Sequence, residues 1–508
     1  MSHKVYLVGA GPGDTGLLTL KGKTCIERAD VIVYDYLAAD ALLQYARKDA
    51  ELIYAGKKGG DHTLTQTEIN ALLIRKASQG HTVTRLKGGD PFIFGRGGEE
   101  IEALIDAGIS FEVVPGVTSA IAAPAYAGIP LTHRKFTSTV TFITGHENPD
   151  KEASNINWKA LADMGGTLVF LMGVKNLPNI VSRLRQRGMN ENTPAALVRW
   201  GTTTKQQTVT GTLATIIENV RIAGLTSPCI IVVGDVVALR EKMQWFENRP
   251  LFGKKIVVTR ARAQASGMVA QLTDLGAECL EYPVIRTIPP EDDTRLDQAI
   301  DALSTYHWVI FTSVNGVDFF FNRLEENGYD ARAFGGLRTA CIGPVTAERL
   351  RSHGIATDIL PDSFRAESII NAFQNEPMTG KRVLLPRAAE ARMVLPEELI
   401  RMGAEVDEIA VYRTVDDTEH IGQLIRQLEN QAIDLITFTS SSTVTNFKKL
   451  LPKDRFDALM AHTAIAAIGP ITAETAEKNG FQVDISADTY TIPGLCDAIV
   501  RHYQNTGR

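Results

Sequence analysis

The sequence predicts an α/β protein with several parallel-sheet domains. Short apolar runs rich in Val, Ile, Leu and Phe are followed by turn-forming segments and then by helical patterns throughout the chain. Such alternation is typical of α/β folds with mainly parallel sheets. A length of 508 residues accommodates about three or four domains. The eight clearest predicted strand segments are VYLVGAG, VIVYDYL, TLVFLMG, CIIVVGD, KIVVTRA, WVIFTSV, RVLLPRA and LITFTSS.

Composition excludes several classes of protein. Hydrophobic residues make up 44% and charged residues 22% of the chain, which is average for globular proteins and argues against disorder. The net charge of -6 disfavours general nucleic-acid binding. The longest apolar stretch, near residues 119–131, is interrupted by Pro124, Gly128 and Pro130, so no membrane-spanning helix is expected. The N-terminus lacks a signal-peptide pattern, and a cytoplasmic protein is expected.

The cysteines give no sign of a disulfide or metal framework. Five cysteines are widely spaced, and none belongs to a CxxC pair or to a Cys/His cluster with zinc spacing. We therefore expect reduced thiols and no metal site.

A charged segment with a proline and a glycine, residues 236–255, interrupts the alternation of strands and helices. It predicts a boundary near residue 247, between domains at 1–246 and 247–508.

The second part of the chain contains an internal repeat. GKKIVVTRA at 253–261 matches GKRVLLPRA at 380–388, FTS at Phe311 returns at Phe438, and IGPVTAE at Ile342 returns as IGPITAE at Ile468. The three offsets are 126 or 127 residues, in the same order, which predicts two similar α/β lobes.

The first strand leads into a glycine loop, VGAGPGDTG. Gly11, Gly13 and Gly16 fit the GxGxxG pattern, and Asp35 follows about 20 residues later, as in nicotinamide-binding folds. Against that interpretation, Pro12 lacks an N–H where a phosphate cradle needs donors. A nicotinamide-dependent oxidoreductase remains the alternative to the function argued next.

A second glycine loop, RLKGGDPFIFGRGGEE at 85–100, is not needed by a dinucleotide fold. Together with VGAGPGD, VIVYD, GKKGGDH, VPGVTSAIAAPAYAGIPLTHR, TGH, TLVFLMG and RWGTT, it resembles the uroporphyrinogen-III C-methyltransferases of the tetrapyrrole methylase family over about residues 3–240. The resemblance implies two sub-domains, about 1–115 and 116–246. It also implies transfer of two methyl groups from S-adenosylmethionine to uroporphyrinogen III, giving precorrin-2 and S-adenosylhomocysteine.

The same motifs carry over candidate site residues. Asp35 and Lys57 match the family's proton acceptor and donor. The S-adenosylmethionine pocket would comprise Pro12, Gly88, Gly89, Asp90, Ile93, Thr118, Ser119, Met172 and Gly201. Uroporphyrinogen carries eight carboxylates and needs cationic partners, for which the candidates are Arg85, Lys87, Arg96, His133 and Arg134.

These candidates also have structural interpretations. Asp35 suits a turn or a ribose contact at a strand end, and Lys57 suits a solvated loop. Asp90 suits an Asx turn before Pro91, and the basic residues suit ordinary surface charges.

From about residue 251 onward, VVTRA, FTSVNGV, IGPVTAE, VYRT, FTSSSTV and IGPITAE resemble uroporphyrinogen-III synthase. The resemblance implies closure of hydroxymethylbilane with inversion of the last pyrrole. It further implies interlaced lobes, one at 251–286 plus 415–508 and the other at 289–411, with a cleft between them. Because the reaction depends on holding a curled polyanion, hydrogen-bond donors matter more than a strong base.

Candidate substrate contacts of this second part are Arg260, Ser313, Thr346, Arg387, Ser440 and Thr472. Tyr412 matches the tyrosine that the family most often implicates in departure of the hydroxyl. Ser440 is alternatively a helix N-cap, and Tyr412 an amphipathic residue at a lobe crossing.

The sequence therefore predicts a bifunctional tetrapyrrole enzyme with S-adenosylmethionine as methyl donor, without nucleic-acid or membrane partners. A homodimer through the methylase domain is expected from the family. A non-catalytic two-lobed binder of the periplasmic type is a further alternative, which the missing signal peptide disfavours.

Overall fold

The computed structural model describes residues 4–36, 40–56, 64–146, 155–260, 262–361, 366–391, 393–418 and 421–505. Lys57 lies outside them. The chain divides into two compact units. The first comprises Met1–Lys254, Leu272–Glu278 and Tyr503–Arg508, and the second comprises Lys255–Gln271 and Cys279–His502.

The first sheet of unit one is fully parallel, with strand order β3-β2-β4-β1-β5. Its strands are β1 (Val5–Gly9), β2 (Val31–Tyr34), β3 (Glu51–Tyr54), β4 (Val83–Lys87) and β5 (Phe111–Val114). Its helices are α1 (Leu20–Arg28), α2 (Gln66–Ser78) and α3 (Gly97–Asp106).

Helices cover both faces of this sheet. Ile26 of α1 packs with Val8 and Leu86 on one face, whereas Leu73 of α2 and Leu104 of α3 belong to the core on the other face. Connections from the adjacent strands β1 and β4 therefore leave toward opposite faces. Such a change of direction opens a crevice at the carboxyl ends of the strands, where α/β proteins commonly bind ligands.

Local sequence explains where α2 begins. The side chain of Thr65 accepts a hydrogen bond from the backbone of Glu68, whose carboxylate in turn accepts from the backbone of Thr65 at 2.6 Å. This capping box satisfies two backbone donors that have no partner within the helix. Ile69, Leu72 and Leu73 then recur at helical spacing and are buried.

The second sheet of unit one is mainly antiparallel and is an exception within the expected, mainly parallel α/β architecture. Its order is β6-β7-β10-β8-β9, and only the β6–β7 pair is parallel. The strands are β6 (Val140–Thr144), β7 (Thr167–Leu171), β8 (Pro194–Arg199), β9 (Gln207–Thr212) and β10 (Cys229–Val233). The helices are α4 (Ser119–Tyr126), α5 (Trp158–Asp163), α6 (Leu177–Gln186), α7 (Ile216–Ile222) and α8 (Arg240–Met243). A short loop joins β8 to β9, which permits only an antiparallel pair.

The rest of the chain forms two more sheets. Their strands are β11 (Lys255–Val258), β12 (Glu278–Glu281), β13 (Ile285–Ile288), β14 (Trp308–Phe311), β15 (Arg338–Cys341), β16 (Arg382–Ala388), β17 (Glu405–Asp416), β18 (Leu435–Phe438), β19 (Ala464–Ala467) and β20 (Ile485–Ser486). The strand orders are β12-β11-β18-β19-β20 and β13-β17-β16-β14-β15.

Eleven helices accompany these sheets in the described part of the chain. They are α9 (Arg262–Asp274), α10 (Thr294–Asp301), α11 (Val314–Glu326), α12 (Pro344–Ser352), α13 (Ala366–Phe373), α14 (Val394–Arg401), α15 (Ile421–Glu429), α16 (Ser441–Leu450), α17 (Phe456–Met460), α18 (Pro470–Lys478) and α19 (Ile492–Asn505).

The predicted internal repeat is confirmed in three dimensions. In each of these two sheets, one strand leads into an FTS motif (β14 and β18) and one leads into an IGP motif (β15 and β19). A third strand follows the GKK or GKR motif (β11 and β16). Ser313 and Ser440 cap α11 and α16 with nearly the same backbone angles, φ -160° and -162° with ψ 157° and 158°. The chain enters the β11 sheet, crosses to the β14 sheet, and returns at β18.

Candidate functional site

Three glycines meet at the carboxyl ends of β1, β4 and β5. A Cβ on Gly9 would lie 2.5 Å from the backbone of Gly116, and a Cβ on Gly116 would lie 2.3 Å from the carbonyl oxygen of Gly89. Gly11 and Gly89 exchange backbone hydrogen bonds of 3.2 and 2.7 Å. The three backbones therefore form a closely packed floor at the crevice, in which a larger residue cannot fit.

Asp90 fixes the loop that follows β4. Its Oδ1 accepts from the backbone amides of Phe92 and Ile93 at 2.8 and 3.2 Å, and its Oδ2 accepts from the amide of Gly116 at 3.0 Å. The Asx-turn interpretation thus describes one part of its role. Carboxylate oxygens have several lone pairs, so a ligand contact by Asp90 stays a prediction.

The Pro12 loop meets a loop from the second sheet of the same unit. The amide of Asp14 donates to Thr202 Oγ1 at 3.0 Å, and Tyr126 Oη donates to the Asp14 carboxylate at 2.6 Å. Burial and the Asp14 carboxylate raise the pKa of the Tyr126 phenol. A Cβ on Gly201 would lie 2.4 Å from Ala123 Cβ, so the RWGTT loop also packs against α4.

These contacts argue against the nicotinamide alternative. The amides of Gly11, Asp14 and Gly16 donate to Gly89, Thr202 and the Asp14 carboxylate. The loop continues into a short 3-10 turn at Thr15–Leu17, and α1 begins only at Leu20. A dinucleotide fingerprint needs such amides, and a helix N-terminus, directed at a pyrophosphate.

Left-handed backbone conformations concentrate in the loops that sequence analysis singled out. Met172 has φ 58° and is 54% exposed, directly after β7. Among the described non-glycine residues, five of the six with positive φ lie in such loops. They are Phe94, Arg96, Met172, Trp200 and Thr202. Strain of this kind clusters at functional sites.

Two further residues predicted for the pocket, Thr118 and Ser119, lie at the start of α4. Thr118 Oγ1 caps α4 by accepting from the amide of Ala120 at 3.3 Å, and Ser119 begins that helix. The Cα of Thr118 would lie 3.7 Å from a Cβ on Gly89. The glycine floor, the threonine hydroxyl and the Gly201 loop thus fit a ligand that needs close backbone approach, as an adenosyl group does.

Asp35 belongs to a buried group of charges. Its Oδ2 accepts from Arg85 at 3.3 Å, while Glu100 Oε1 accepts from Arg85 at 3.3 Å and from Lys87 at 2.6 Å. Arg85, Lys87 and Glu100 are 3%, 4% and 0% exposed. Burial, followed by repulsion from Arg85, lowers the pKa of Lys87.

The other basic candidates of unit one lie nearer the surface. Arg85 and Lys87, by contrast, are buried and paired with protein carboxylates, so their role in binding substrate stays a prediction. Arg96 is exposed and pairs with Glu99 at 2.9 Å. The His133 ring contacts Phe136 with centroids 5.0 Å apart, and Arg134 is exposed.

In the β14 sheet, Arg387 lies in β16, Tyr412 lies in β17, and Ser313 follows β14. Ser313 Oγ lies 3.2 Å from Tyr412 Oη, and the Tyr412 ring stacks on Phe319 with centroids 5.6 Å apart. Arg387 is buried and lies 3.5 Å from Glu408. Burial lowers the pKa of Arg387 despite the attraction of Glu408. Thr346 is buried in the first turn of α12.

The β11 sheet repeats part of this arrangement. Ser440 caps α16 and forms a capping box with Thr443, which matches its helix N-cap interpretation. Thr472 is buried in the first turn of α18, as Thr346 is in α12. Arg260 follows β11 and is partly exposed.

The described residues lack both a metal-binding cluster and a membrane-spanning helix. They contain no group of three or more His, Cys, Asp or Glu that could hold a metal, and none of their helices is long and apolar enough to cross a membrane.

Comparisons with known proteins identify both parts of the chain. Residues 4–217 match the model of the Tetrapyrrole (Corrin/Porphyrin) Methylases, and residues 266–497 match that of Uroporphyrinogen-III synthase HemD. The Porphyrin biosynthesis protein HemD of Ruminiclostridium josui is 38% identical over 496 residues, covering 98% of this chain and 97% of that protein. The chain belongs to the family of this HemD protein. It joins a tetrapyrrole methylase to a HemD uroporphyrinogen-III synthase.

Relatives of the first part include a protein named for its methyl donor. The S-adenosyl-L-methionine-dependent uroporphyrinogen III methyltransferase of Methanosarcina barkeri is 55% identical over 238 residues, covering 47% of this chain and 93% of that protein. A structure of the Thermus thermophilus uroporphyrin-III C-methyl transferase, complexed with S-adenyl homocysteine, covers 46% of this chain and 99% of its own, with 37% identity and a TM-score of 0.40.

Sequence reasoning missed three residues of the site: Glu100, Tyr126 and Thr202. A signal for Glu100 was present, because Arg85 and Lys87 alternate with apolar residues in a central strand. Cations buried in a sheet require a carboxylate partner. Tyr126 and Thr202 lie within quoted motifs, but those motifs did not predict their contacts, which join distant segments of the chain.

Proposed function

We propose that this chain closes hydroxymethylbilane to uroporphyrinogen III and then methylates that product twice to give precorrin-2. The observation that carries the proposal is the match of nearly the whole chain to a porphyrin biosynthesis protein, with both family models in one polypeptide. Residues 1–246 are assigned to methyl transfer and residues 247–508 to ring closure.

Methyl transfer is assigned to the glycine-floored crevice. S-adenosylmethionine, when bound, supplies an electrophilic methyl group. The residues that would hold this methyl donor are Pro12, Gly88, Gly89, Asp90, Ile93, Thr118, Ser119, Met172 and Gly201. The task of the protein is then to align an electron-rich pyrrole carbon with that methyl and to exclude water. Asp35, 26% exposed at the side chain, would accept the proton released by the macrocycle, and Lys57 would donate one.

Ring closure is assigned to the two lobes of the second part. The bilane loses its terminal hydroxyl with the electron pair of the C–O bond, and the hindered, bridge-bearing carbon of the last pyrrole forms a new C–C bond to the methylene left behind. Inversion then requires the bond from that carbon to its original methylene bridge to break. The released methylene bonds to the free carbon on the other side of the same pyrrole, and that carbon loses its proton. Tyr412 would donate a hydrogen bond to the departing oxygen. The polyanion must be held so that attack occurs at the hindered carbon. The residues that would hold it are Arg260, Ser313, Thr346, Arg387, Ser440 and Thr472.

Substrate carboxylates of the methylation step need exposed donors. The exposed Arg96 and Arg134 and the partly exposed His133 would meet this need from the first unit. Arg85 and Lys87 are buried among protein partners. We further propose that the chain is cytoplasmic and forms a homodimer through residues 1–246. Light scattering of the purified chain tests the dimer.

Separate assays of the two half-reactions test the function. Supplied with uroporphyrinogen III and S-adenosylmethionine, the chain should yield a doubly methylated product, and Asp35→Asn should abolish it while ring closure persists. Supplied with hydroxymethylbilane alone, it should yield the type III isomer, which Tyr412→Phe should slow while methyl transfer persists. Type I product, or hydride transfer from a nicotinamide, would contradict the assignment.

A further inference from the structure

Strand β4 places two cations on a buried face of the first sheet. Successive side chains of a strand point to opposite faces, so Val83, Arg85 and Lys87 share one. Val83 packs in the core beneath α2 and α3. Arg85 and Lys87 are therefore enclosed in apolar surroundings, where an unpaired charge is costly.

Glu100 of α3 receives both cations. Its Oε1 accepts from Lys87 at 2.6 Å, from Arg85 Nε at 3.3 Å and from Gln66 of α2 at 3.2 Å. Glu100 is fully buried. Its carboxylate thus ties one end of the Arg85 side chain to two helices.

The other nitrogens of Arg85 point toward the carboxyl edge of the sheet. Nη1 donates to the carbonyl oxygens of Leu86 and Val33 at 3.1 and 3.4 Å. Nη2 donates to Asp35 Oδ2 at 3.3 Å. Because guanidinium is planar and rigid, fixing Nε and Nη1 also fixes the direction in which Nη2 meets Asp35.

The four groups balance in charge, two positive and two negative. Of the four, only Asp35 reaches the surface appreciably, with 26% of its side chain exposed. Burial lowers the pKa of Lys87, and the Glu100 carboxylate opposes that shift. Each interior member therefore has its partner within the group.

We propose that Arg85 is a positioning residue that orients the Asp35 carboxylate for methyl transfer, and that Glu100, held by Lys87, fixes Arg85. The inference rests on the proposed function, because it requires Asp35 to act on the tetrapyrrole. It differs from the sequence expectation that Arg85 binds a substrate carboxylate.

The test compares Arg85→Gln, Arg85→Lys and Glu100→Gln with the unmodified full chain, using uroporphyrinogen III and S-adenosylmethionine. Arg85→Gln should lower kcat of methyl transfer by about tenfold or more, while KM for uroporphyrinogen III and the calorimetric Kd for S-adenosylmethionine change by less than about twofold. Arg85→Lys keeps a cation and should recover part of the loss. Glu100→Gln should lower kcat with the fold retained.

Glu112→Gln is the matched control. Glu112 pairs with Lys4 and Lys21 near the opposite edge of the same sheet, so the change removes two ion pairs without touching Asp35. Its kcat should equal that of the unmodified chain. Ring closure, measured in every variant, reports whether the remainder of the polypeptide is intact.

Three results would overturn the inference. These are a wild-type kcat in Arg85→Gln, a raised KM for uroporphyrinogen III with unchanged kcat, and an Arg85→Lys variant no better than Arg85→Gln. The second result would restore the role in carboxylate binding. Failure of the unmodified chain to transfer methyl groups would instead refute the proposed function, and this inference with it.

Discussion

The hydroxyl oxygen of Ser313 lies 3.2 Å from the phenol oxygen of Tyr412. Ser313 Oγ also accepts a hydrogen bond from the backbone amide of Gly316 at 3.0 Å, and in this way it caps α11. A serine hydroxyl carries a single proton, which it can give to Tyr412 while accepting from Gly316. In that arrangement the phenol proton is available for a departing oxygen, so one residue caps a helix and orients a tyrosine.

Substitution of either partner should slow ring closure without abolishing it. Tyr412→Phe removes the donor, and we expect a decrease of about tenfold in kcat, equivalent to ~1.4 kcal/mol of barrier. Ser313→Ala should slow closure less and also destabilise the fold by about 1 kcal/mol through loss of the cap. Stopped assays with hydroxymethylbilane and denaturant titrations measure the two effects.

Ser440→Ala is the control for stability. It removes the equivalent cap of α16, so its cost in unfolding free energy should match that of Ser313→Ala. Wild-type turnover in Tyr412→Phe would remove the tyrosine from the mechanism.

Glu112 makes stability depend on pH. Hydrogen bonds from Lys21 and Lys4 lower its pKa from 4.5 to about 2. A carboxyl with a depressed pKa stabilises the fold fully above its unfolded value and loses that contribution as pH falls through the folded value. The difference in unfolding free energy between the unmodified chain and Glu112→Gln should therefore be largest above about pH 4.5, fall steadily as the pH is lowered, and vanish below about pH 2.

Denaturant titrations across this range measure that difference. It should also shrink at high salt, because the three side chains are partly exposed and salt screens exposed pairs. A difference that stays constant down to pH 2 would contradict the assignment of the ion pairs.

Gly116→Ala should disable methyl transfer specifically. Its Cβ would lie 2.3 Å from the carbonyl oxygen of Gly89, so the floor of the crevice must move. We expect loss of calorimetrically measured S-adenosylmethionine binding by at least about tenfold, with ring closure retained. Gly267→Ala in α9, where a Cβ meets nothing within 4 Å, is the control and should stabilise its helix by about 0.5–1 kcal/mol. Normal binding by Gly116→Ala would show that the crevice does not hold the donor.

Much of the fold could be predicted because its signals are local. All eight predicted strand segments contain strands. The repeat alone did not predict which strands share a sheet: β14 lies with β16, and β11 with β18. That interlaced arrangement was implied only by the resemblance to uroporphyrinogen-III synthase. The direction of pairing in the β7–β10 sheet could not be predicted. Apolar runs such as CIIVV fit a strand buried on both faces, whether its neighbours run parallel or antiparallel.

The site was predictable only in part. The two glycine-rich motifs placed Gly11 and Gly89 in loops, but the close packing of Gly116 against Gly9 and Gly89 was not predicted. The environment of Arg85 could not be predicted from charge alone, because burial depends on which helix supplies Glu100. The hydrogen bond from Tyr126 to Asp14 joins residues 112 positions apart, so no local sequence pattern predicts it.

A single incubation tests the central claim most directly. The purified chain receives hydroxymethylbilane and S-adenosylmethionine bearing a labelled methyl group, and the tetrapyrrole product is then identified by isomer and by label. The account predicts a type III macrocycle carrying two labelled methyl groups. A type I macrocycle, or a type III macrocycle without label, would contradict it.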